Sequence, residues 1–373
     1  MDKQRLNNKI FITILFMISA VFMFCFFRNS TYVNQVDNRS AYRFTTPSIK
    51  SLLNGEYQDN MDETIADQMP KYNYFKLLYL KITNYTNTKS VRLFNLDKKN
   101  KYVKLGNVNL YNDYLVYSIE DIATNNKIID VVNSLSDNTN SNVYFYYINT
   151  DSNYNFETGY KSDEFDYIKN KLKTNNISSL DIPSFDEYKN YFYKTDHHWN
   201  YKGSYKGYTD IANLMNLDIL DIKDEVCFDI PFSGSKTRDL AGINLITETS
   251  CMYTFDMPDF DIYISGEKVD NYGNPIDELK SSHEITYGNM YGFDYDEILF
   301  VNKNSNNNKK LLIFSNSFSN AINKLLASNY KETYVLDERH YENLNLIDYI
   351  NSKKIDDVLI LGNHMLFIDS VNW

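Results

Sequence analysis

The sequence predicts an α/β fold, a mostly parallel sheet flanked by helices. Two stretches point there. Towards the carboxy terminus three apolar, strand-like runs, "KKLLIFSNS", "ETYVLD" and "DDVLILGN", are separated by the helix-like segments "FSNAINKLLASN" and "YENLNLIDYINSK". Earlier in the chain "SVRLFNL" and "NVYFYYIN" read as strands, and they alternate with "YSIEDIATNNKIIDVVNSLS" and "DEFDYIKNKLKTNN", whose apolar residues recur at helical spacing. Strands that alternate with helices are joined by crossovers, and crossovers build parallel sheets covered by helices.

Taken in order, residues 1–9 carry Lys3, Arg5 and Lys9 and read as a cytoplasmic tail. Residues 10–27, "IFITILFMISAVFMFCFF", form an almost unbroken apolar run that is just long enough to span a bilayer. The basic flank keeps the amino terminus in the cytoplasm. A cleaved signal peptide would have a shorter apolar core and a small-residue cleavage site, whereas "RNSTYVNQ" follows here. Residues 10–27 therefore read as an uncleaved transmembrane signal anchor, a single pass that leaves the bulk of the chain extracellular. Residues 28–70 are polar without clear periodicity and read as a stalk, with a short helix near "NMDETIADQM". Residues 71–373 read as the extracellular domain. Its weakest signal lies between Tyr208 and Lys309, where "MYTFDMPDFDIYISG" and "HEITYGNMYGFDYDEILFVN" read as strands of an inserted antiparallel piece.

A length of 373 residues allows one large domain or two ordinary ones. The formal charge of -11 argues against nucleic acid as a partner, because neutralising phosphates takes clustered Lys and Arg. Cys25 sits in the anchor, and Cys227 and Cys251 are the only thiols outside it. Export permits a disulfide between them; two buried, unpaired thiols are the alternative.

The chemistry concentrates at two places. Ser317 stands where the strand "LLIF" turns directly into a helix, which sets its hydroxyl at the rim of the sheet and its N–H among the orphan donors of a helix start. That suits a nucleophile whose neighbouring donors stabilise an oxyanion. It also suits a simple helix cap, a role open to Ser315, Asn316 and Ser319 as well. The second place is "KTDHHWN", Lys194 to Asn200. In an extended segment residues two apart point the same way, so Asp196 can orient His198 as a general base while His197 points elsewhere. A polar turn with a half-buried histidine is the competing reading; the acid at this spacing and the adjacent Trp199 favour catalysis. No metal is expected: zinc needs three or four converging ligands, neighbouring His197 and His198 converge poorly, and His283, His340 and His364 are scattered.

The block "YFYKTDHHWNYKGSY" closely resembles the signature of the DHHW proteins, which are similar to alginate O-acetylation proteins and, more broadly, to SGNH hydrolases. "NVYFYYIN" resembles the strand before that signature, "RDLAG" the Asp-Leu block after it, "LLIFSNSFSNAI" the nucleophile block and "TYVLDERHY" the strand that follows. The resemblance covers the chain from about residue 90 onward. It implies an SGNH hydrolase-like (flavodoxin-like) domain in which Ser317 is the nucleophile, His198 the base and Asp196 its orienter. Ser315 and Asn316 stand where the family pattern has Gly and Asp. Asn316, Gly362 and Asn363 are candidates for the oxyanion site, and Arg339 and Trp199 for substrate contacts. The activity implied is transfer or hydrolysis of acyl groups, acetyl above all, on a cell-surface polysaccharide, beside a membrane-bound O-acyltransferase and without a cofactor. The "SNSF" block leaves an inactive glycan-binding or scaffold role as the alternative.

Overall fold

A computed structural model of the chain describes residues 3–27, 33–34, 39–44, 46–53, 55–69, 71–98, 100–106, 108–117, 126–240, 246–340, 344–364 and 366. The chain divides into two compact units, one of residues 1–90 with 240–243, the other of residues 91–239 and 244–373.

The first unit is helical, with helices over Lys3–Phe27, Ile49–Leu53 and Glu56–Gln68 and most of Tyr72–Phe94. The short helix expected near "NMDETIADQM" is the third of these. Its end is tied to residue 42: Asp67 accepts the Tyr42 N–H at 2.8 Å, and the Gln68 amide donates to the Tyr42 carbonyl at 2.8 Å. The apolar run over 10–27 lies on the first helix, several of whose side chains fall outside the described residues. Among the described residues no helix is long and apolar enough to cross a membrane. "SVRLFNL", read above as a strand, instead ends the helix Tyr72–Phe94.

The second unit is built on one eight-stranded mixed sheet. Its strands are β1 (Asn142–Ile148), β2 (Ile177–Leu180), β3 (Phe260–Ile264), β4 (Glu267–Val269), β5 (Glu297–Asn302), β6 (Lys310–Ser315), β7 (Glu332–Leu336) and β8 (Asp357–Gly362). The spatial order is β4-β3-β5-β7-β6-β8-β1-β2. From β7 to β2 every neighbouring pair is parallel, while β4, β3 and β5 extend the β7 edge antiparallel. The sheet is thus more mixed than the sequence predicts, because the inserted piece joins it as an edge.

The central strands are buried on both faces, which is why they read as continuous apolar runs. Alternate residues feed two cores. Leu311, Ile313, Leu359 and Leu361 pack under the helix Tyr201–Met215 with Tyr208 and Ile211. Leu312, Phe314, Val358 and Ile360 pack with Ile128, Val132 and Leu135 of the helix Asn126–Asn138 and with Leu346 and Ile350 of the helix Leu346–Lys353. The chain leaves β6 for β7 on one side and then returns past it to β8 on the other. Reversals of this kind open a crevice beyond the carboxyl ends of the strands.

A separate antiparallel pair, Asp224–Pro231 with Thr249–Thr254, sets Cys227 opposite Cys251, and the two form a disulfide. Of the two alternatives left by the sequence, pairing is the one found.

Candidate active site

The segment Lys194–His198 is held in a loop closed by backbone pairing of Phe192 with Trp199 and by the Asn200 N–H donating to the Tyr191 carbonyl at 2.8 Å. Asn200 then starts the next helix, its side chain accepting the N–H groups of Lys202 and Gly203 at 2.9 and 3.0 Å. Within the loop the Asp196 side chain turns back and accepts the His198 N–H at 2.9 Å, a local Asx turn. The same oxygen accepts from His198 Nδ1 at 2.6 Å. The far edge of that imidazole meets the opposite side of the crevice: Nε2 stands 2.8 Å from Ser317 Oγ. Asp196, His198 and Ser317 thus form one hydrogen-bonded chain, with the acid and base nearly inaccessible and the serine half-buried.

Electrostatics sets the protonation. Burial alone would raise the Asp196 carboxyl, but the His198 charge and hydrogen bonds, with His197 behind them, outweigh it and hold Asp196 well below the usual carboxylate range. An ionised Asp196 fixes the proton on His198 Nδ1, which leaves the Nε2 lone pair facing the serine hydroxyl. His197 is pushed down by burial first and by the adjacent His198 charge second, so it stays neutral and hydrogen-bonds Ser235 Oγ at 2.5 Å.

Ser317 begins a short 3-10 turn, Ser317–Ala321, directly after β6. No acceptor among the described residues takes its N–H, which makes it an available oxyanion donor. The unusual "SNSF" block has local duties. Ser315 donates to Ser319 at 2.6 Å and stiffens the turn. Asn316 caps it, accepting the Phe318 N–H at 3.3 Å while its amide donates to Asn363 Oδ1 at 3.1 Å. Asn316 and Asn363 are therefore brought together beside the serine. Gly362 is the last rung of β8, opposite Tyr147, and a Cβ there would press on the Leu366 side chain 3.0 Å away.

One sequence expectation, Trp199 as a substrate contact, is corrected. Trp199 is wholly buried and packs on Phe318 and on the Gly207 position of the following helix, where no Cβ fits. As His198 faces the crevice, its immediate neighbour faces the core, so Trp199 supports the site from beneath and does not touch substrate. Arg339 is engaged by Asp337 and by Asp294, the latter at 2.8 Å and shared with Asn320. These carboxylates balance its charge while the side chain stays exposed.

The structure adds residues the motifs do not reveal. The segment Ser233–Lys236 clasps the acid: the Ser235 N–H donates to Asp196 Oδ2 at 2.6 Å, the Lys236 N–H to the Thr195 carbonyl at 3.0 Å. Gly234 lies so close that a Cβ would collide with the Thr195 backbone. Lys236 anchors the clasp in the interior, its ammonium shared by Asp151, the Leu115 carbonyl and Tyr188 at 2.7, 3.0 and 3.1 Å. Glu248 holds the other flank, accepting the N–H groups of Lys194 and Thr195 and the Thr195 hydroxyl at 2.7, 3.0 and 2.8 Å. Tyr287 lies against His198. These partners come from distant parts of the chain, and an ordinary Gly-Ser or Glu gives no local signal of them.

Asp196, His197 and His198 bring ligand-competent atoms within 4.8 Å of one another. An ion there would have to open the 2.6 Å Asp196–His198 hydrogen bond. The arrangement fits proton transfer better than metal coordination.

No protein-family model matches the chain, and no curated protein matches it significantly. Solved structures of similar fold exist. A DHHW family protein from Eubacterium siraeum matches with a TM-score of 0.55 at 18% identity, over 73% of this chain and 95% of that one. PatB1 from Bacillus cereus, solved with a sulfonyl adduct, matches with a TM-score of 0.57 at 21% identity, over 71% of this chain and 96% of that one. The likeness expected from the "KTDHHWN" block is present at the level of the fold.

Proposed function

We propose that the chain is a serine-dependent acyltransferase or esterase acting on a cell-surface polysaccharide, acetyl being the group moved. The observation that carries this reading is the continuous path from Asp196 through His198 to Ser317, 2.6 and 2.8 Å long. In the first step Ser317 Oγ attacks the acyl carbonyl carbon and its proton passes to His198 Nε2. The tetrahedral intermediate, its oxyanion met by the Ser317 N–H, expels the donor alcohol, which takes the proton back from His198. A sugar hydroxyl or water then attacks the acyl-serine, gives its proton to His198 and regenerates the serine. Asp196 stays ionised throughout and stabilises the imidazolium.

The fold shared with PatB1, which holds a sulfonyl adduct, supports an electrophile-accepting site. The apolar run over 10–27 supports anchorage in the membrane with the active unit outside, where a membrane-bound O-acyltransferase would supply acyl groups. Treatment with a sulfonyl fluoride followed by peptide mass analysis tests the central point. Labelling on Ser317 that disappears in His198→Ala is expected; an unlabelled Ser317 in folded protein would leave a non-enzymatic role.

A further inference from the structure

Apart from the triad, the second unit holds a cavity of about 310 Å3, within the size range of ligand sites. The helix Tyr201–Met215, the strand Thr249–Thr254, the loop 271–275 and the segment after Ser317 contribute its walls. Neither His198 nor Ser317 lines it. Among the described residues no Asp or Glu does either, although the chain carries 49 acidic residues.

One wall is aromatic and already assembled. Tyr253 meets Tyr201 edge-on at 4.8 Å and Tyr205 at 5.7 Å, and Tyr205 stacks on Phe255 at 5.8 Å. The Tyr201 hydroxyl donates to Glu225 at 2.6 Å and that of Tyr205 to the Leu220 carbonyl at 3.2 Å. The Cys227–Cys251 disulfide tethers the strand that bears Tyr253. Rings fixed in this way lose little freedom when a ligand arrives. The remaining lining is mixed, with Met252, Met257, Met290 and Leu325 set among polar groups. It includes the Asn271 amide, which has no partner among the described residues, and the Lys324 ammonium, which donates to the Tyr272 carbonyl at 2.8 Å.

Flat aromatic faces attract the weakly positive C–H face of a sugar ring, and amide and ammonium groups bond its hydroxyls. A long acyl chain would leave those polar groups desolvated without partners, at a cost. We propose that this cavity binds a saccharide segment of the glycan, holding it while the triad acts on another unit of the same chain. The identity of that glycan as substrate rests on the function proposed above; the binding itself does not.

Isothermal titration calorimetry of the full chain with tetrasaccharides of N-acetylglucosamine, of glucose and of mannose tests this. At least one is expected to bind. Tyr253→Leu, which keeps apolar bulk but loses the flat face, and Asn271→Ala should each weaken that binding about tenfold, with folding checked by circular dichroism. Ser317→Ala should bind as wild type does. The proposal is overturned if none of the three sugars binds, if neither cavity variant weakens binding, or if Ser317→Ala abolishes it. Failure of the catalytic reading looks different: saccharide binding intact, with Ser317 inert to sulfonyl fluoride.

Discussion

His198 lies flat against Tyr287, ring centroids 3.8 Å apart and planes 2° from parallel, while the Tyr287 hydroxyl donates to the Phe318 carbonyl at 3.3 Å. One side chain thus braces both His198 and the residue after Ser317. Tyr287→Phe keeps the stack and loses one hydrogen bond, about 1 kcal/mol, so kcat should fall less than about tenfold. Tyr287→Ala removes the stack and leaves a cavity, which costs about 3–5 kcal/mol in a core, and kcat should fall much further. Esterase assays alongside thermal melts would show it. Full turnover in a folded Tyr287→Ala protein would mean the stack is ornamental.

The clasp predicts an effect without touching any reacting atom. Gly234→Ala forces the backbone of residues 233–236 away from Thr195 and so withdraws the Ser235 N–H from Asp196. Overpacking of this kind costs about 1–3 kcal/mol, and misplacing the acid should lower kcat by about a hundredfold. Ser235→Ala keeps that N–H and loses only the contact with His197, so it should be the milder change. The order of the two, read from kcat at fixed pH, checks the assignment.

Asp196→Asn should leave the fold but remove most activity, on the order of 10⁴-fold by analogy with other triads. Its stability effect has a pH signature. The folded carboxyl titrates below its unfolded value near 3.8, so Asp196 contributes stability that is complete above the unfolded pKa and is lost as pH falls through the folded one. Urea midpoints of wild type and Asp196→Asn should therefore differ at pH 6, and the gap should begin to close only below about pH 4.

The Cys227–Cys251 bond closes a loop with a sequence separation of 24 residues. Its loss in Cys227→Ser/Cys251→Ser should cost about 2–4 kcal/mol, seen as a lower melting temperature that reductant does not lower further. Identical melts for the variant and the oxidised wild type would contradict this.

Much of the site is legible in the sequence because it is local. Asp196 and His198 announce themselves by a spacing that one turn of chain converts into contact, and Ser317 by an abrupt strand-to-helix change. Trp199 misled because an adjacent aromatic in an extended segment faces the other way. Ser235, Glu248 and Tyr287 reach the site only through tertiary packing, and Gly234 shows its purpose only once the Thr195 backbone lies over it. In the fold, β6, β7 and β8 stand out as unbroken apolar runs, whereas "SVRLFNL" alternates like a strand yet finishes a helix. The antiparallel edge of β3, β4 and β5 follows from where the inserted piece docks, which no local pattern specifies.

The most direct measurement is acetate release from p-nitrophenyl acetate and acetylated sugars by wild type, Ser317→Ala, His198→Ala and the double variant. If the three residues act as one unit, each single variant loses on the order of 10⁴-fold or more and the double variant loses little beyond that. Undiminished release by Ser317→Ala would contradict Ser317 as the nucleophile.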